Sequence, residues 1–282
     1  MAKRRRLLLA LALLCIALIA WIAWGNTALE VTPYTVMSSQ LPAKFSGFRI
    51  AQISDLHNTQ IGGNNEKLLA MLADSQPDLI AITGDLIDSR NTNIQAALDF
   101  AAQAVQIAPC YYVTGNHESR IAEYDILKTG LEDLGVIVLE NEALTLASGD
   151  ASIVLAGVRD PSFSSSEYLE DEAPIMTQVL ENFQFAQEDF VLLLSHKPEL
   201  FPTYCDYPID LVLTGHVHGG QFRIPYFGGL FAPSQSFFPE YDAGLYEDNG
   251  TVMLISRGIG NSVFPFRVNN PPEVLLITLQ SA

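Results

Sequence analysis

Leu79-Ile80-Ala81-Ile82-Thr83-Gly84-Asp85-Leu86-Ile87-Asp88 is a short apolar run that breaks at a glycine and closes on two carboxylates. An apolar run of this length, bounded by a turn residue, reads as a strand buried on both faces, as parallel sheets require. The same grammar recurs along the chain. Phe48–Ser54 leads into Asp55-Leu56-His57, and Cys110–Thr114 into Gly115-Asn116-His117-Glu118. Val191–Ser195 leads into His196-Lys197-Pro198, and Leu211–Thr214 into Gly215-His216-Val217-His218. Each strand therefore ends at a residue able to bind a cation or move a proton. Layered α/β folds place their sites in the loops at the carboxyl ends of strands. Motifs scattered between residues 55 and 218 can thus converge on one sheet edge.

Between these runs the periodicity is helical over Glu66–Ser75, Thr92–Ile107, Tyr124–Leu134 and Ala173–Phe183. Further strands are expected at Val136–Leu139, Leu144–Ala147 and Ser152–Gly157. The C-terminal part is β-rich: Ala243–Tyr246, a turn at Asp248-Asn249-Gly250, Thr251–Ser256 and Val274–Leu279. Asn-Gly between apolar runs is a strong hairpin signal. The fold class is α/β. Residues 25–46, with Pro33 and Pro42 and no sustained period, read as a linker between an N-terminal segment, 1–24, and one folded domain, 47–282.

The N-terminal segment places Lys3-Arg4-Arg5-Arg6 before Leu7–Trp24, a stretch without charge that is long enough to span a bilayer as a helix. Trp21 and Trp24 suit the membrane interface. An uncleaved transmembrane anchor is expected, with a cleavable signal peptide as the alternative. The basic cluster stays cytoplasmic, which places the domain on the extracytoplasmic side of the cell membrane. Without those four basic residues the formal charge moves from −17 to −21. Such a surface repels nucleic-acid backbones, and no nucleic-acid partner is expected. Cys110 and Cys205 precede strands and read as small buried hydrophobes.

All five histidines, His57, His117, His196, His216 and His218, lie in the strand-end motifs. Neutral imidazole is the commonest metal ligand, and carboxylates complete mixed N/O sites. The pattern reads as a two-metal hydrolase. Taken in order, D-x-H, G-D-x-x-D, G-N-H-E, a strand-end histidine and G-H-x-H resemble the calcineurin-like metallophosphoesterases, over about residues 48–279. The resemblance is strongest to a bacterial membrane-associated branch. There, stretches similar to Gly219-Gly220-Gln221-x-Arg223, Ser256-Arg257-Gly258-x-Gly260-Asn261 and Asn270-Pro271-Pro272-Glu273 recur.

That resemblance implies a four-layer αββα sandwich preceded by one transmembrane helix. It implies one cation on Asp55, His57, Asp85 and His218, and another on Asp85, Asn116, His196 and His216. Asp85 would bridge by giving one oxygen to each. Two divalent ions are implied, Mn²⁺ first, with iron and zinc also fitting the donor set. The expected reaction is hydrolysis of a phosphodiester or pyrophosphate bond by a water activated between the metals. His117 would protonate the leaving group, with Asp88 orienting it; helix capping is the plainer reading of Asp88. The expected substrate is an envelope or lipid-linked phosphoester; a UDP-diacylglucosamine-type pyrophosphate is kept as an alternative, set lower because such nucleotides are cytoplasmic and the domain is expected outside. A catalytically inactive membrane-tethered binding scaffold is the alternative of another class. The apolar stretch between Phe222 and Phe238 reads either as a packed loop or as an apolar wall beside the site. Arg223, Arg257 and Arg267 are candidate phosphate contacts.

Overall fold

The computed structural model describes residues 2–164, 171–261 and 264–282. An N-terminal helix, α1 (Ala2–Gly25), leads into β1 (Glu30–Ser38), β2 (Arg49–Ile53), β3 (Leu79–Thr83), β4 (Cys110–Val113) and β5 (Ile137–Val138). There follow β6 (Glu142–Ser148), β7 (Ala151–Gly157), β8 (Val191–Leu194), β9 (Leu211–Thr214), β10 (Gly244–Asp248) and β11 (Thr251–Ile255). The last strand, β12 (Glu273–Ser281), returns to the first sheet. The two sheets run β1-β12-β2-β3-β4-β5 and β10-β11-β9-β8-β7-β6. β2 through β5 are parallel, as are β7, β8, β9 and β11, so their carboxyl ends share one edge.

Alternation along the strands builds three apolar layers. Ile50, Leu79, Ala81, Tyr111 and Val113 face Leu155, Leu192, Leu194, Leu211 and Leu213 between the sheets. The opposite faces of β2–β4 pack Ala51, Ile53, Ile80, Ile82 and Tyr112 against α2 (Glu66–Ser75), α3 (Ile94–Ala104) and α4 (Tyr124–Asp133). Behind the second sheet, Val191, Leu193, Val212 and Met253 meet α5 (Ala173–Leu180) and α6 (Phe201–Tyr204). The order is helix, sheet, sheet, helix. This is the expected αββα sandwich.

Two boundaries move for local reasons. α3 starts at Ile94, two residues later than expected, because the Asn93 side chain caps it by accepting the Ala96 N–H. The segment expected as a linker is corrected more substantially. Residues 30–38 form an edge strand paired in parallel with β12 over its whole length. Only Val36 in it is buried, so its apolar signal is faint, and Pro33 is tolerated because an edge strand has one free side.

None of the residues in the apolar stretch of α1 is buried, and the helix is long and apolar enough to cross a membrane. At ~1.5 Å per residue its length matches a bilayer core with about one turn to spare. Its end is held rather than loose. Asn26 Oδ1 accepts the Arg267 N–H at 2.8 Å, and Asn26 Nδ2 donates to the Arg267 carbonyl at 3.1 Å. Cys15 lies exposed on α1, Cys110 is buried and Cys205 half-buried; all three are free thiols. Burial pushes the Cys110 thiol up to about 12, so it behaves as a small hydrophobe.

Candidate metal centre

The strand-end loops turn sharply. Asp55, His57, Asp85, His216 and His218 all have positive φ, between 47° and 71°. Side chains other than glycine and asparagine adopt this region at a cost, of order 1–3 kcal/mol where it is strained, and such residues gather at functional sites. The turns bring Asp55 and His57, two apart in sequence, to one group of acceptors, and send His218 to that group and His216 to a second. Gly84 makes room for them: with φ at +89°, an added Cβ would fall 2.6 Å from His196 Nδ1 and 2.7 Å from the Gly115 nitrogen.

Two groups of acceptor atoms result. In the first, Nε2 of His57 and Nε2 of His218 stand 3.1 Å apart. Asp55 Oδ1 is 3.3 Å from His218 Nε2, and Asp85 Oδ2 is 3.6 Å from His57 Nε2. In the second, His196 Nε2 lies 3.3 Å from Asp85 Oδ2 and 3.2 Å from Asn116 Oδ1. The same Asn116 oxygen is 2.8 Å from His216 Nδ1. Acceptors crowded together in this way are what a divalent cation satisfies: atoms ~2.1 Å from one ion stand about 3.0–3.5 Å from each other. Turning the Asn116 amide over would give both histidines a donor and Arg120 an acceptor. Asn116 therefore serves either a cation or a hydrogen-bond network.

Residues 48–220 match the calcineurin-like phosphoesterase family. The chain belongs to that family. It is 30% identical over 258 residues to the uncharacterized metallophosphoesterase YkuE of Bacillus subtilis, covering 90% of this chain and 86% of that one. Against the phosphodiesterase YaeI of Escherichia coli the identity is 28% over 237 residues, with 82% of each chain covered. A transmembrane protein with a metallophosphoesterase domain from Danio rerio is 26% identical over 283 residues, covering 96% of this chain and 62% of that protein. The chain is accordingly a metal-dependent phosphoester hydrolase. The family uses a dinuclear divalent metal site, and the two acceptor groups suit it.

The bridging position differs in detail from expectation. Asp85 turns a single oxygen, Oδ2, toward both groups, while Oδ1 accepts the His117 N–H at 2.8 Å. The expectation gave one oxygen to each cation; in this arrangement Oδ2 is the oxygen that would face both. Tautomers are also set locally. His196 Nδ1 donates to the Thr83 carbonyl at 2.7 Å, leaving the Nε2 lone pair for ligation. Burial drives His57 down to about 3 and His216 and His218 well below the usual range, so their rings are neutral at pH 7. His196 is the exception: burial opposes its charge, but Asp85 and then Asp55 outweigh it and hold it up to about 10. A cation bound there would take the place of that proton.

Two residues of the centre, Glu118 and Glu199, were given no role by the sequence reading, and a third, Arg267, takes a place other than the expected phosphate contact. Glu118 is fully buried and accepts N–H bonds from Gly115 at 2.7 Å, Asp85 at 3.0 Å and Ile87 at 3.3 Å, tying two ligand loops together. Burial, then the Asp85 charge, raise it to about 8. Its place in Gly115-Asn116-His117-Glu118 was the available signal. Glu199 brings Oε1 to 3.7 Å from His216 Nε2, on the ring edge opposite Asn116. Arg267 is almost wholly buried and lies 3.3 Å from His218 Nδ1, donating to the Arg257 and Gly260 carbonyls.

His117 stands beside the first group, its ring 4.4 Å from that of His57. Its Nδ1 accepts the Ser89 N–H at 3.0 Å. Asp88 Oδ1 is 3.5 Å from the same nitrogen, and both Asp88 oxygens are taken by Arg90 at 2.7–2.9 Å. The expected His117-to-Asp88 hydrogen bond is thus replaced by one from Ser89, with Asp88 in ion-pair range. The arginines are also committed elsewhere: Arg223 to Asp242 at 3.1 Å, and Arg257 to Glu273 at 2.6 Å and Glu30 at 3.2 Å.

The Phe222–Phe238 stretch is packed only in part, at Ala232 and Phe222, and its other aromatic side chains are exposed. Its short hairpins, Arg223–Ile224 with Gly228–Gly229 and Phe231–Ala232 with Ser236–Phe237, hold Phe227 77%, Phe237 67% and Phe238 62% exposed. Ser234, between them, approaches His216 Nε2 at 3.5 Å. The apolar lip therefore borders the centre.

Proposed function

We propose that this chain is a membrane-anchored phosphodiesterase that cleaves a phosphodiester or pyrophosphate bond of a lipid-bearing envelope substrate on the extracytoplasmic side. The observation that carries the reading is the pair of acceptor groups sharing Asp85 Oδ2, with the exposed aromatic lip at their border. Asp55, His57, Asp85 and His218 would hold one cation, and Asp85, Asn116, His196 and His216 the other. Their donors are oxygen and imidazole nitrogen, a set that fits Mn²⁺ and also iron or zinc. When bound, the cations supply Lewis acidity that activates water and offsets charge on the phosphoryl oxygens.

The protein's own residues do the rest. Glu118 and the Asp85 Oδ1 bond to His117 N–H keep the ligand loops in register, so geometry is set before substrate arrives. His117 delivers a proton from Nε2 to the leaving oxygen. For that its ring must carry a second proton on Nδ1, and Asp88 Oδ1 is the nearby carboxylate able to accept that N–H once the Ser89 N–H gives way. Placement of the domain outside the membrane rests on the cytoplasmic preference of Lys3-Arg4-Arg5-Arg6. The relative named as a transmembrane protein supports the anchor.

The substrate reading is checked with paired diesters that share a headgroup and differ only in acyl chains. The acylated member should be preferred, and Phe227→Ser with Phe231→Ser should cut its kcat/KM about tenfold or more, leaving the soluble member unchanged. Equal turnover of both members, indifferent to those substitutions, would sink the lipid reading.

A further inference from the structure

Residues 224–239 contain no charged side chain, in a chain with 15 Lys and Arg and 32 Asp and Glu. Yet most of this stretch lies outside the core. Ile224, Tyr226, Phe227, Phe231, Phe237 and Phe238 are exposed to solvent. Phe264 and Phe266, 43% and 38% exposed, extend the same surface, because the Phe222 ring packs at 5.2 and 5.5 Å against them. Gln221 Nε2 donates to the Phe264 and Phe266 carbonyls at 3.1 and 3.0 Å, fastening the two segments together. A contiguous, charge-free aromatic surface on an otherwise acidic protein marks a contact with something apolar.

The position of the surface says what that is. Phe266 is the chain neighbour of Arg267, whose N–H and carbonyl are both bonded to the Asn26 side chain. Asn26 follows α1 directly, two residues after Trp24, and Asn261 Nδ2 also reaches Asn26 Oδ1 at 3.4 Å. The end of the apolar helix and the edge of the aromatic surface are therefore one hydrogen-bonded unit. If α1 lies in a bilayer, the aromatic surface starts at the level where tryptophan marks the membrane interface.

We propose that the lip formed by residues 224–238, with Phe264 and Phe266, is a second membrane contact that inserts into the interfacial layer of the bilayer α1 spans. Aromatic side chains are favoured at that depth. The short hairpins satisfy part of their own backbone polar groups, which suits the interface, whereas irregular backbone exposed to lipid does not occur in the hydrocarbon core. The absence of cationic residues in the lip makes the attachment apolar, so it does not depend on anionic lipid. The consequence is geometric. With Ser234 against His216, the lip holds the mouth of the metal centre at the lipid surface. The proposal rests on α1 as an anchor, and it stands or falls separately from the identity of the substrate.

The test is tryptophan quenching on the full chain in phosphatidylcholine nanodiscs, with and without bromine on the acyl chains near the headgroup. Trp21 and Trp24 of the unaltered chain report insertion of α1. In a chain carrying Trp21→Phe and Trp24→Phe, single reporters Phe237→Trp and Phe227→Trp should emit at shorter wavelength than in water. Their intensity should fall in brominated discs by an extent comparable to the native pair. Ile126→Trp, exposed on α4 away from the lip, should stay unquenched. Two unquenched lip reporters beside a quenched native pair would overturn the proposal, and a blue-shifted but unquenched lip would assign its cover to protein instead. An unquenched native pair would remove the anchor and the proposal with it.

Discussion

Asp85→Ala is expected to lose both cations and metal-dependent hydrolysis, with affinity falling on the order of 10³-fold. The figure corresponds to ~4 kcal/mol, the scale for removing one member of a buried charge arrangement. The cause is specific to Asp85. Its Oδ2 faces His57 at 3.6 Å and His196 at 3.3 Å, so one substitution opens both groups, whereas Asp55 contributes to one. Asp85→Asn should be nearly as damaging. Its single oxygen can either face the cations or accept the His117 N–H, and the amide NH₂ is wrong at the other place. Metal analysis after gel filtration reads the result. Retention of two ions per chain by the alanine variant would show that Asp85 does not bridge.

His117→Ala should separate chemistry from binding. No cation depends on His117 in the assigned sets, so both should remain, while the rate falls roughly 10²–10⁴-fold on alkyl esters. The fall should be much smaller with p-nitrophenyl esters, whose leaving group scarcely needs a proton. Equal losses on both ester types, or loss of metal, would make His117 a ligand or a positioning residue. Asp88→Asn should cost less than His117→Ala, because Arg90 already occupies both Asp88 oxygens.

What was legible in the sequence, and what was not, divides along physical lines. Fully buried strands such as Leu79–Thr83 are continuous apolar runs, and their ends are marked by the glycines and ligands that the sharp turns need. The strand Glu30–Ser38 was not legible because a half-exposed edge strand needs neither a long apolar run nor the exclusion of proline. The ligand-bearing motifs stand out because ligand chemistry restricts residue type. Glu118, Glu199 and Arg267 act through partners distant in sequence, such as Glu118 on Asp85 and Arg267 on His218, and no local pattern encodes those pairings. The choice between one and two Asp85 oxygens, and the capture of Asp88 by Arg90, are matters of rotamer and neighbour. Likewise, composition alone could not tell whether the Phe222–Phe238 aromatics face inward or outward.

The central claim is that the two acceptor groups hold two cations that make this chain a phosphodiesterase. The most direct measurement is hydrolysis of bis-p-nitrophenyl phosphate by the metal-stripped full chain as Mn²⁺ is titrated back, with bound metal counted at each point. Turnover should be absent in chelator, rise with loading and level off at two ions per chain. A folded chain that binds two ions yet shows no turnover with Mn²⁺, Fe²⁺ or Zn²⁺, or one that turns over undiminished in chelator, would contradict it.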